Sequence, residues 1–377
     1  MSENLRRYRT IHEALRTMGG VEPRGNYARH LATLAGLISG IIGAQHTQLP
    51  QVAGQVPDQA KPASRVKRLE RWIDHANRSW ELYFLPFVDV LLASLVKQTL
   101  VLVIDGSTVG RGCLGLMVSV VYQGRALPLM WLVVNGKKGH FPEHCHLQLW
   151  RRVYELIPPG ADVVWVGDGE FDGVGLQQAL NDCRWRYVCR TGKNICLYEA
   201  DEELHFGELP LLSGDVLSLP GVSVTEARYG PVHALGWWGK GYKEPIYLVT
   251  NFELAEEACF FYRKRFRIET FFSDQKSRGF RLHKSHIADP ERLARLLIAT
   301  CLAYLWLVYL GRYAQQQGWQ GLIHRPDRCD LSLFQLGLRL LEYLLSEQPE
   351  NPVPVDFAMP VATPGCGELP LILKINL

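Results

Sequence analysis

The sequence predicts an α/β protein in which a mixed β-sheet, flanked by helices, is interrupted by a small β-rich insertion and preceded by a helical region. Three observations lead to this prediction. From residue 99 to 192, short apolar β-rich runs alternate with segments of helical pattern. Residues 193–246 hold many Gly and Pro between short β-like runs, and residues 1–98 have apolar residues at helical spacing. The predicted regions are 1–98 (helical), 99–192 with 247–312 (split core), 193–246 (β-rich insertion) and 313–377 (C-terminal helical region and tail).

The composition is that of an ordinary globular chain: of 377 residues, 47% are hydrophobic and 21% are charged. The net charge of +3 does not by itself indicate a nucleic-acid partner, but basic residues cluster locally, with eight Lys or Arg between Tyr262 and Lys284. The nine cysteines form no Cys-x-x-Cys pair, which is typical of reduced thiols. The N-terminus lacks the apolar segment of a signal peptide, so we expect a cytoplasmic protein.

The helical region 1–98 contains a basic amphipathic segment. Residues 29–43 predict an apolar helix, and residues 64–73 predict a helix with one apolar face. The flanks of that second helix carry basic residues: Arg65, Lys67 and Arg68. This pattern is typical of a short DNA-binding module with a basic recognition helix. A helical bundle with a solvated basic face is the alternative, because both surfaces look alike in sequence.

Two aspartates follow buried strands in the predicted core. The apolar runs at 100–104 and 163–166 end on Asp105 and Asp168. Ligands and chemistry in sheet-plus-helix folds gather at the carboxyl ends of strands, and a carboxylate buried there requires a cation. Glu170 and Asp172 are rivals of Asp168, which is preferred because it lies closest to the strand end.

Residues 262–276 contain neither Pro nor Gly and predict one continuous helix. Four polar side chains share an arc of about 60° on that helix: Tyr262, Arg265, Glu269 and Lys276. The opposite, apolar side must face a core. A carboxylate flanked by two cations and a phenol suits an anion or a metal ion, whereas a solvated amphipathic helix is the alternative reading of the same pattern.

The three carboxylates Asp105, Asp168 and Glu269 together supply the hard oxygen ligands that a pair of Mg²⁺ ions requires. Their order resembles the Asp-Asp-Glu (DDE) triad of transposases built on an RNase H-like core. The pattern Tyr262-x₂-Arg265-x₃-Glu269-x₆-Lys276 also matches, without a gap, the signature of the insertion-sequence-four family, bacterial cut-and-paste elements that include the Tn-five type. The resemblance covers about residues 100–310. One departure is Gly169, because the family commonly has Arg directly after its second Asp.

The resemblance implies metal-dependent DNA cleavage and strand transfer by this chain. Asp105, Asp168 and Glu269 would hold two Mg²⁺ ions, for which Mn²⁺ would be able to substitute. The polar residues of the signature would bind DNA, with Arg265 and Lys276 on phosphates and Tyr262 on the terminal nucleotide. Hairpin formation at the element end is also implied, with a flipped base stacked on an aromatic side chain of the insertion, Trp237 or Trp238.

The partners implied by the resemblance are double-stranded DNA, namely the terminal inverted repeats and the target, and a second copy of the chain in a paired-end complex. The implied location is the nucleoid-associated cytoplasm of a prokaryote, with no membrane. Two other functions fit the same residues: a DNA-binding descendant that has lost catalysis, and an RNase H-fold nuclease that does not join strands.

Three further patterns are assigned structural roles. Gly110-Arg111-Gly112 opens a G-x-G-x-x-G pattern, but a predicted strand follows it, so we expect a turn and no dinucleotide site. His140, His144, Cys145 and His146 lack a second ligand pair at zinc-site spacing. Residues 293–310 approach the length of a membrane span, but we expect a buried helix that packs against the sheet.

Overall fold

The computed structural model describes residues 2–18, 23–136, 140–199, 202–325, 330–348 and 350–360. The helices of these residues are α1 (Glu3–Met18), α2 (Gly25–Ala44), α3 (Leu49–Gly54), α4 (Pro62–Asp74), α5 (Trp80–Tyr83), α6 (Leu85–Leu95), α7 (Glu143–Tyr154), α8 (Val174–Asp182), α9 (Ala255–Tyr262), α10 (Arg267–Gln275), α11 (Pro290–Gln316), α12 (Gln320–Ile323) and α13 (Leu333–Ser346). The strands are β1 (Leu100–Gly110), β2 (Cys113–Tyr122), β3 (Arg125–Asn135), β4 (Val163–Gly167), β5 (Arg186–Thr191), β6 (Cys196–Glu199), β7 (Glu202–His205), β8 (Val216–Val224), β9 (Tyr229–Trp237) and β10 (Ile246–Thr250). The end of the predicted tail, residues 361–377, lies outside the described residues.

These strands form a single mixed sheet in the order β3-β2-β1-β4-β5-β10-β9-β8-β6-β7. Strand β1 pairs antiparallel with β2 and parallel with β4, which in turn pairs parallel with β5. Helices α7 to α11 pack on the strands of the first half of the sheet. The predicted mixed sheet flanked by helices is therefore confirmed.

Strand β1 is longer than predicted, and this changes the position of Asp105. The sequence predicts that the strand ends before Asp105, but pairing with β2 continues through Thr108, with Asp105 opposite Met117. Pairing with β4 stops at Val103. Asp105 therefore lies inside a strand but beyond its last parallel partner, while Asp168 directly follows β4. Both carboxylates still emerge at the same edge of the parallel part of the sheet.

The insertion is built from strands, as predicted, and it continues the main sheet through β9, which pairs with β10. Strands β8 and β9 form an antiparallel pair, and β6 with β7 closes the sheet edge. The buried side chains of this half form a separate small core: Leu197, Phe206, Leu209, Val222, Val224, Val232, Ala234, Tyr247 and Val249.

Helix α11 is the central core helix. It is long and apolar enough to cross a membrane by length and composition, but 89% of its most apolar window is buried inside the protein. It packs on β3, where the Trp131 indole N–H donates to the Ala294 carbonyl at 3.2 Å. Its contact with α13 depends on small residues, because a Cβ added at Gly337 would lie 1.8 Å from the Leu307 carbonyl oxygen. The predicted buried helix is confirmed.

The N-terminal helices share this core. Helix α2 packs on α1, α3 and α11, and α4 buries Leu69, Trp72 and Ile73. The two glycines Gly110 and Gly112 flank the turn between β1 and β2, and Gly112 has a φ of +70°, which an L side chain rarely adopts. Strand β2 follows at once, so the predicted turn is confirmed.

Candidate active site

The signature segment is not one continuous helix, so that prediction is wrong. Helix α9 ends at Tyr262, a 3₁₀ turn spans Arg263–Phe266, and α10 begins at Arg267. Lys276 follows the last residue of α10. The turn contacts β1 and β4, so the tighter 3₁₀ geometry is formed where the segment crosses the two strands that carry Asp105 and Asp168. A stretch of 3₁₀ inside a helical segment often marks a functional position.

Arg265, on this turn, contacts all three predicted catalytic carboxylates. Its Nη1 lies 3.5 Å from Asp105 Oδ2 and 3.4 Å from Asp168 Oδ2. Its Nη2 donates to Glu269 Oε1, one helical turn further along the chain. The structure therefore brings the three carboxylates of a β-strand, a loop and a helix to one guanidinium. Four positions that are up to 164 residues apart in the sequence meet at this point.

Asp105 is the most enclosed of the three carboxylates, with a side chain that is 16% exposed. Burial, reinforced by the negative charge of Asp168, raises the pKa of Asp105 to about 7, although Arg265 acts in the opposite direction. The Gly106 N–H donates to Asp105 Oδ1 at 2.7 Å and holds the carboxylate in place. Three carboxylates with one guanidinium leave an excess of negative charge, which an added cation would relieve.

The two rivals of Asp168 have other partners. Glu170 accepts the Phe141 N–H, and its oxygens lie 3.4 Å from His140 Nδ1 and 3.5 Å from His146 Nε2. Although burial acts to raise the pKa of Glu170, the contact with His146 and the Phe141 N–H hold it below its usual value. Asp172 accepts the Thr191 hydroxyl at 2.5 Å, and burial raises its pKa. Asp168 is thus the carboxylate of this loop that contacts Arg265.

The remaining signature residues line the same site. Lys276 Nζ donates to Ser107 Oγ at 2.6 Å, two residues after Asp105 on β1. Burial lowers the pKa of Lys276, against the opposing effect of Asp105. Tyr262 is buried, which raises its pKa to about 12 despite the nearby charges of Arg265 and Arg190. Arg265, Lys276 and Tyr262 therefore all lie near the carboxylates, although the segment that carries them is not the continuous helix on which the helical-wheel argument rests.

The donor chemistry fits a divalent cation, because the site offers hard carboxylate oxygens in excess of positive charge. In this conformation, however, the described residues contain no group of three or more His, Cys, Asp or Glu arranged to hold a metal ion. The guanidinium of Arg265 contacts each carboxylate instead. This result applies equally to the histidine cluster after His140, so within those residues no zinc site is formed either.

The two tryptophans of the insertion differ in solvent exposure. Trp237 is only 5% exposed, with the Arg263 guanidinium 5.1 Å from its ring centroid and Tyr242 against its edge. The structure therefore does not offer Trp237 to a base, and the predicted stacking role is corrected for this residue: it is a core side chain. Trp238 is half-buried, and its indole N–H donates to the Tyr242 carbonyl at 3.0 Å.

Of the three basic residues predicted on α4 to bind DNA, Arg65 and Arg68 have partners within the protein. Arg65 donates to the carbonyls of Ala53 and Val56 at 3.0 and 3.1 Å, and Arg68 pairs with Asp58. Lys67 is 68% exposed and pairs with Glu70, three residues further along the helix, at 2.9 Å. Arg65 thus has a structural role in this region, and its binding to DNA stays a prediction. Lys67 is the one of the three whose charge faces solvent most fully.

Sequence reasoning missed two basic residues beside the site. Asp168 also lines an open cleft of about 460 Å³, to which Arg190 and Lys193 contribute from the end of β5 and the residues after it. The signal was available, because β5 is the parallel neighbour of β4 and Arg190 lies near its carboxyl end, as Asp168 does on β4.

Known protein families and structures include some that are similar to this chain. A family model described as "Transposase DDE domain" matches residues 97–306, more than half of the chain and all three carboxylates. Among solved structures, the chain is similar to piggyBac transposase in a cryo-EM synaptic complex with hairpin DNA, with a TM-score of 0.48, 11% identity, and coverage of 96% of this chain and 84% of that chain. No curated protein sequence matches it. DDE transposases are nucleic-acid-cleaving enzymes that generally use divalent metal ions. The chain belongs to the transposase DDE domain family.

Proposed function

We propose that this protein is the transposase of an insertion sequence of the insertion-sequence-four type, which binds its element ends and catalyses metal-dependent cut-and-paste cleavage and strand transfer. The observation that carries the proposal is the meeting of Asp105, Asp168 and Glu269 at Arg265. A structural protein gains little from clustering three carboxylates around a single cation, whereas phosphoryl transfer with metal ions requires such a cluster.

The sheet supports an RNase H-like catalytic core. Strands β1 to β3 are antiparallel neighbours, and β4 and β5 follow on the other side of β1, both parallel to it. The β-rich insertion enters after β5, and β10 returns the chain to the sheet before the signature segment. The carboxylates lie where β1, β4 and the signature turn meet, which is the position that a DNA strand can reach from outside.

The proposed roles follow from the contacts. Asp105, Asp168 and Glu269 would hold the metal ions, and bound Mg²⁺ would supply Lewis acidity that activates a water or a 3′-hydroxyl for in-line attack at phosphorus. Arg265 exchanges carboxylate contacts for a DNA phosphate, as its planar donor array allows. Lys276, held by Ser107, presents a second cation to the DNA backbone. Tyr262, a phenol that is protonated at neutral pH, would donate to the terminal nucleotide when DNA is bound, although its side chain is buried in this conformation.

The proposed partners are the terminal inverted repeats, the target DNA and a second copy of the chain in a paired-end complex. The proposed location is the nucleoid-associated cytoplasm of a prokaryote. Lys67 on α4 supports a contribution of the helical N-terminal region to end binding, because it is exposed and basic. The buried position of α11 supports a protein without a membrane span.

The test is excision of a marker flanked by the DNA that borders this gene, with purified wild-type protein in Mg²⁺, in Mn²⁺ and in EDTA. We expect release of the marker in either metal and none in EDTA, followed by its joining to a target plasmid. Cleavage without joining would instead assign the protein as a nuclease. Binding of the ends without any cleavage would assign it as a catalytically inactive DNA-binding descendant.

A further inference from the structure

The cleft of about 460 Å³ beside Asp168 extends beyond the carboxylate cluster. It opens between the loop after β4 and the ends of β5 and β10, and its lining includes Asp168, Gly169, Arg190, Lys193 and Glu244. Because Asp168 belongs both to the cleft and to the Arg265 cluster, a ligand bound in the cleft would be directly adjacent to the proposed reaction centre.

The basic side chains of the cleft, Arg190 and Lys193, are exposed, and Glu244 is an exposed carboxylate beside them. Arg190 is 42% exposed, and its nearest acid, Glu244, is 3.8 Å away and 78% exposed. An ion pair as exposed as this one contributes little to stability. Arg190 can therefore exchange Glu244 for a stronger partner. The two other carboxylates that line the cleft have partners within the protein: Glu170 lies against His146 and accepts the Phe141 N–H, and Asp168 contacts Arg265. Lys193 is exposed on the turn after β5.

The loop after Asp168 leaves room for this ligand. A side chain at Gly169 would meet no atom within 4 Å of its Cβ, so the position is open to the cleft. This is the position at which the resembling transposases commonly carry Arg. In this chain Arg190, on β5, and Lys193, on the turn after β5, supply positive charge to the cleft beside Gly169. Arg190 is also close enough to Tyr262 for its charge to act on the phenol, which connects the cleft to the signature segment.

We propose that this cleft binds a backbone phosphate of the DNA strand next to the cleaved bond, with Arg190 as the phosphate-binding residue in place of the arginine absent at Gly169 and with Lys193 in support. The inference rests on the proposed function, since it names a contact of the same DNA substrate. A guanidinium suits a phosphodiester because it donates two parallel hydrogen bonds in addition to its charge.

The experiment combines Arg190→Gln with single methylphosphonate substitutions that neutralise, one at a time, the phosphates near the cleavage point of a duplex taken from the border of this gene. In the wild type we expect neutralisation to weaken binding at more than one phosphate, because Arg265 and Lys276 are also proposed to contact the backbone. At the phosphate bound by Arg190 the loss should be about tenfold, as is typical of a hydrogen bond to a charged group. Arg190→Gln should cause a similar loss on unmodified DNA and lower the slope of log K against log salt by about 1. At that one phosphate, the two losses should not add.

The matched control is Lys97→Gln, which removes one exposed positive charge just before β1, at the opposite end of the strands from the cleft. It should leave the methylphosphonate profile unchanged. Glu244→Gln, which frees Arg190, should strengthen binding, and this gain should vanish in the Arg190→Gln background. Additive losses at every phosphate would overturn the inference while leaving the proposed function intact. A wild type that neither binds nor cuts the duplex would overturn both.

Discussion

Two charged clusters on α10 and its preceding turn differ in balance and exposure. Around Arg265, three carboxylates that are 16%, 33% and 42% exposed share one guanidinium. Five residues after Glu269, Asp274 has a partner, Arg125, at 3.1 Å, and the two side chains are 3% and 16% exposed. The buried cluster is balanced in charge, whereas the open cluster is not. This difference indicates that the buried pair of Asp274 and Arg125 holds the helix in place, and it supports the proposal that the open cluster around Arg265 receives a cation and a substrate.

The largest effect on folding should come from the balanced pair. Arg125→Met leaves the Asp274 carboxylate buried without its cation, so we expect the free energy of unfolding to fall by about 3 kcal/mol. Denaturant titration at pH 8 in EDTA would measure it. Glu269→Gln, which removes a charge from the crowded open cluster, should change the same quantity by no more than about 0.5 kcal/mol. Equal losses in the two variants would contradict the assignment of separate roles.

The buried pair should also give a pH signature. Burial raises the pKa of Asp274 from 3.8 to about 6, against the lowering effect of Arg125. Between pH 4 and pH 6 the folded protein therefore binds more protons at this group than the unfolded chain does, and its contribution to stability falls as pH rises. The difference in unfolding free energy between wild type and Asp274→Asn, measured in EDTA from pH 4 to pH 8, should change through that window and be flat above it. A difference independent of pH would show that Asp274 titrates normally.

A smaller effect should separate two basic residues of α4. Arg65→Gln loses hydrogen bonds to the Ala53 and Val56 carbonyls, so stability should fall by about 1–2 kcal/mol. Lys67→Gln should leave stability within about 0.5 kcal/mol, because its pair with Glu70 is exposed. If α4 contacts DNA, Lys67→Gln should instead reduce the salt dependence of end binding. Unchanged DNA binding by this variant would argue against a DNA-contacting α4.

Much of the fold could be predicted from the sequence, because apolar runs of strand length and Gly-rich turns report local structure directly. The strands β2 and β3, the helix α11 and the β-rich character of the insertion follow from such patterns. The full length of β1 could not be predicted, since Ser107 and Thr108 are polar and are held in the strand by pairing with β2. The 3₁₀ turn at Arg263–Phe266 also depends on tertiary contacts, here with β1 and β4.

The candidate site was predictable to the extent that residue spacing reports it. Asp105, Asp168 and Glu269 were identifiable from strand ends and the signature, and the structure brings each of them to Arg265. Burial could not be deduced for Trp237, because an aromatic residue in a strand has the same appearance whether it faces a core or a ligand. The internal role of Arg65 was hidden for a related reason: its partners are carbonyl groups, which leave no mark in the sequence.

The most direct test of the central claim is strand cleavage by Glu269→Gln on DNA that carries the borders of this gene, in Mg²⁺, with wild type alongside. We expect a loss of at least about a thousandfold in the cleavage rate, as for removal of a residue that acts with others as a catalytic unit, with the melting temperature and end binding retained. Cleavage by the variant at a rate near that of the wild type would contradict the assignment of Asp105, Asp168 and Glu269 as the catalytic carboxylates.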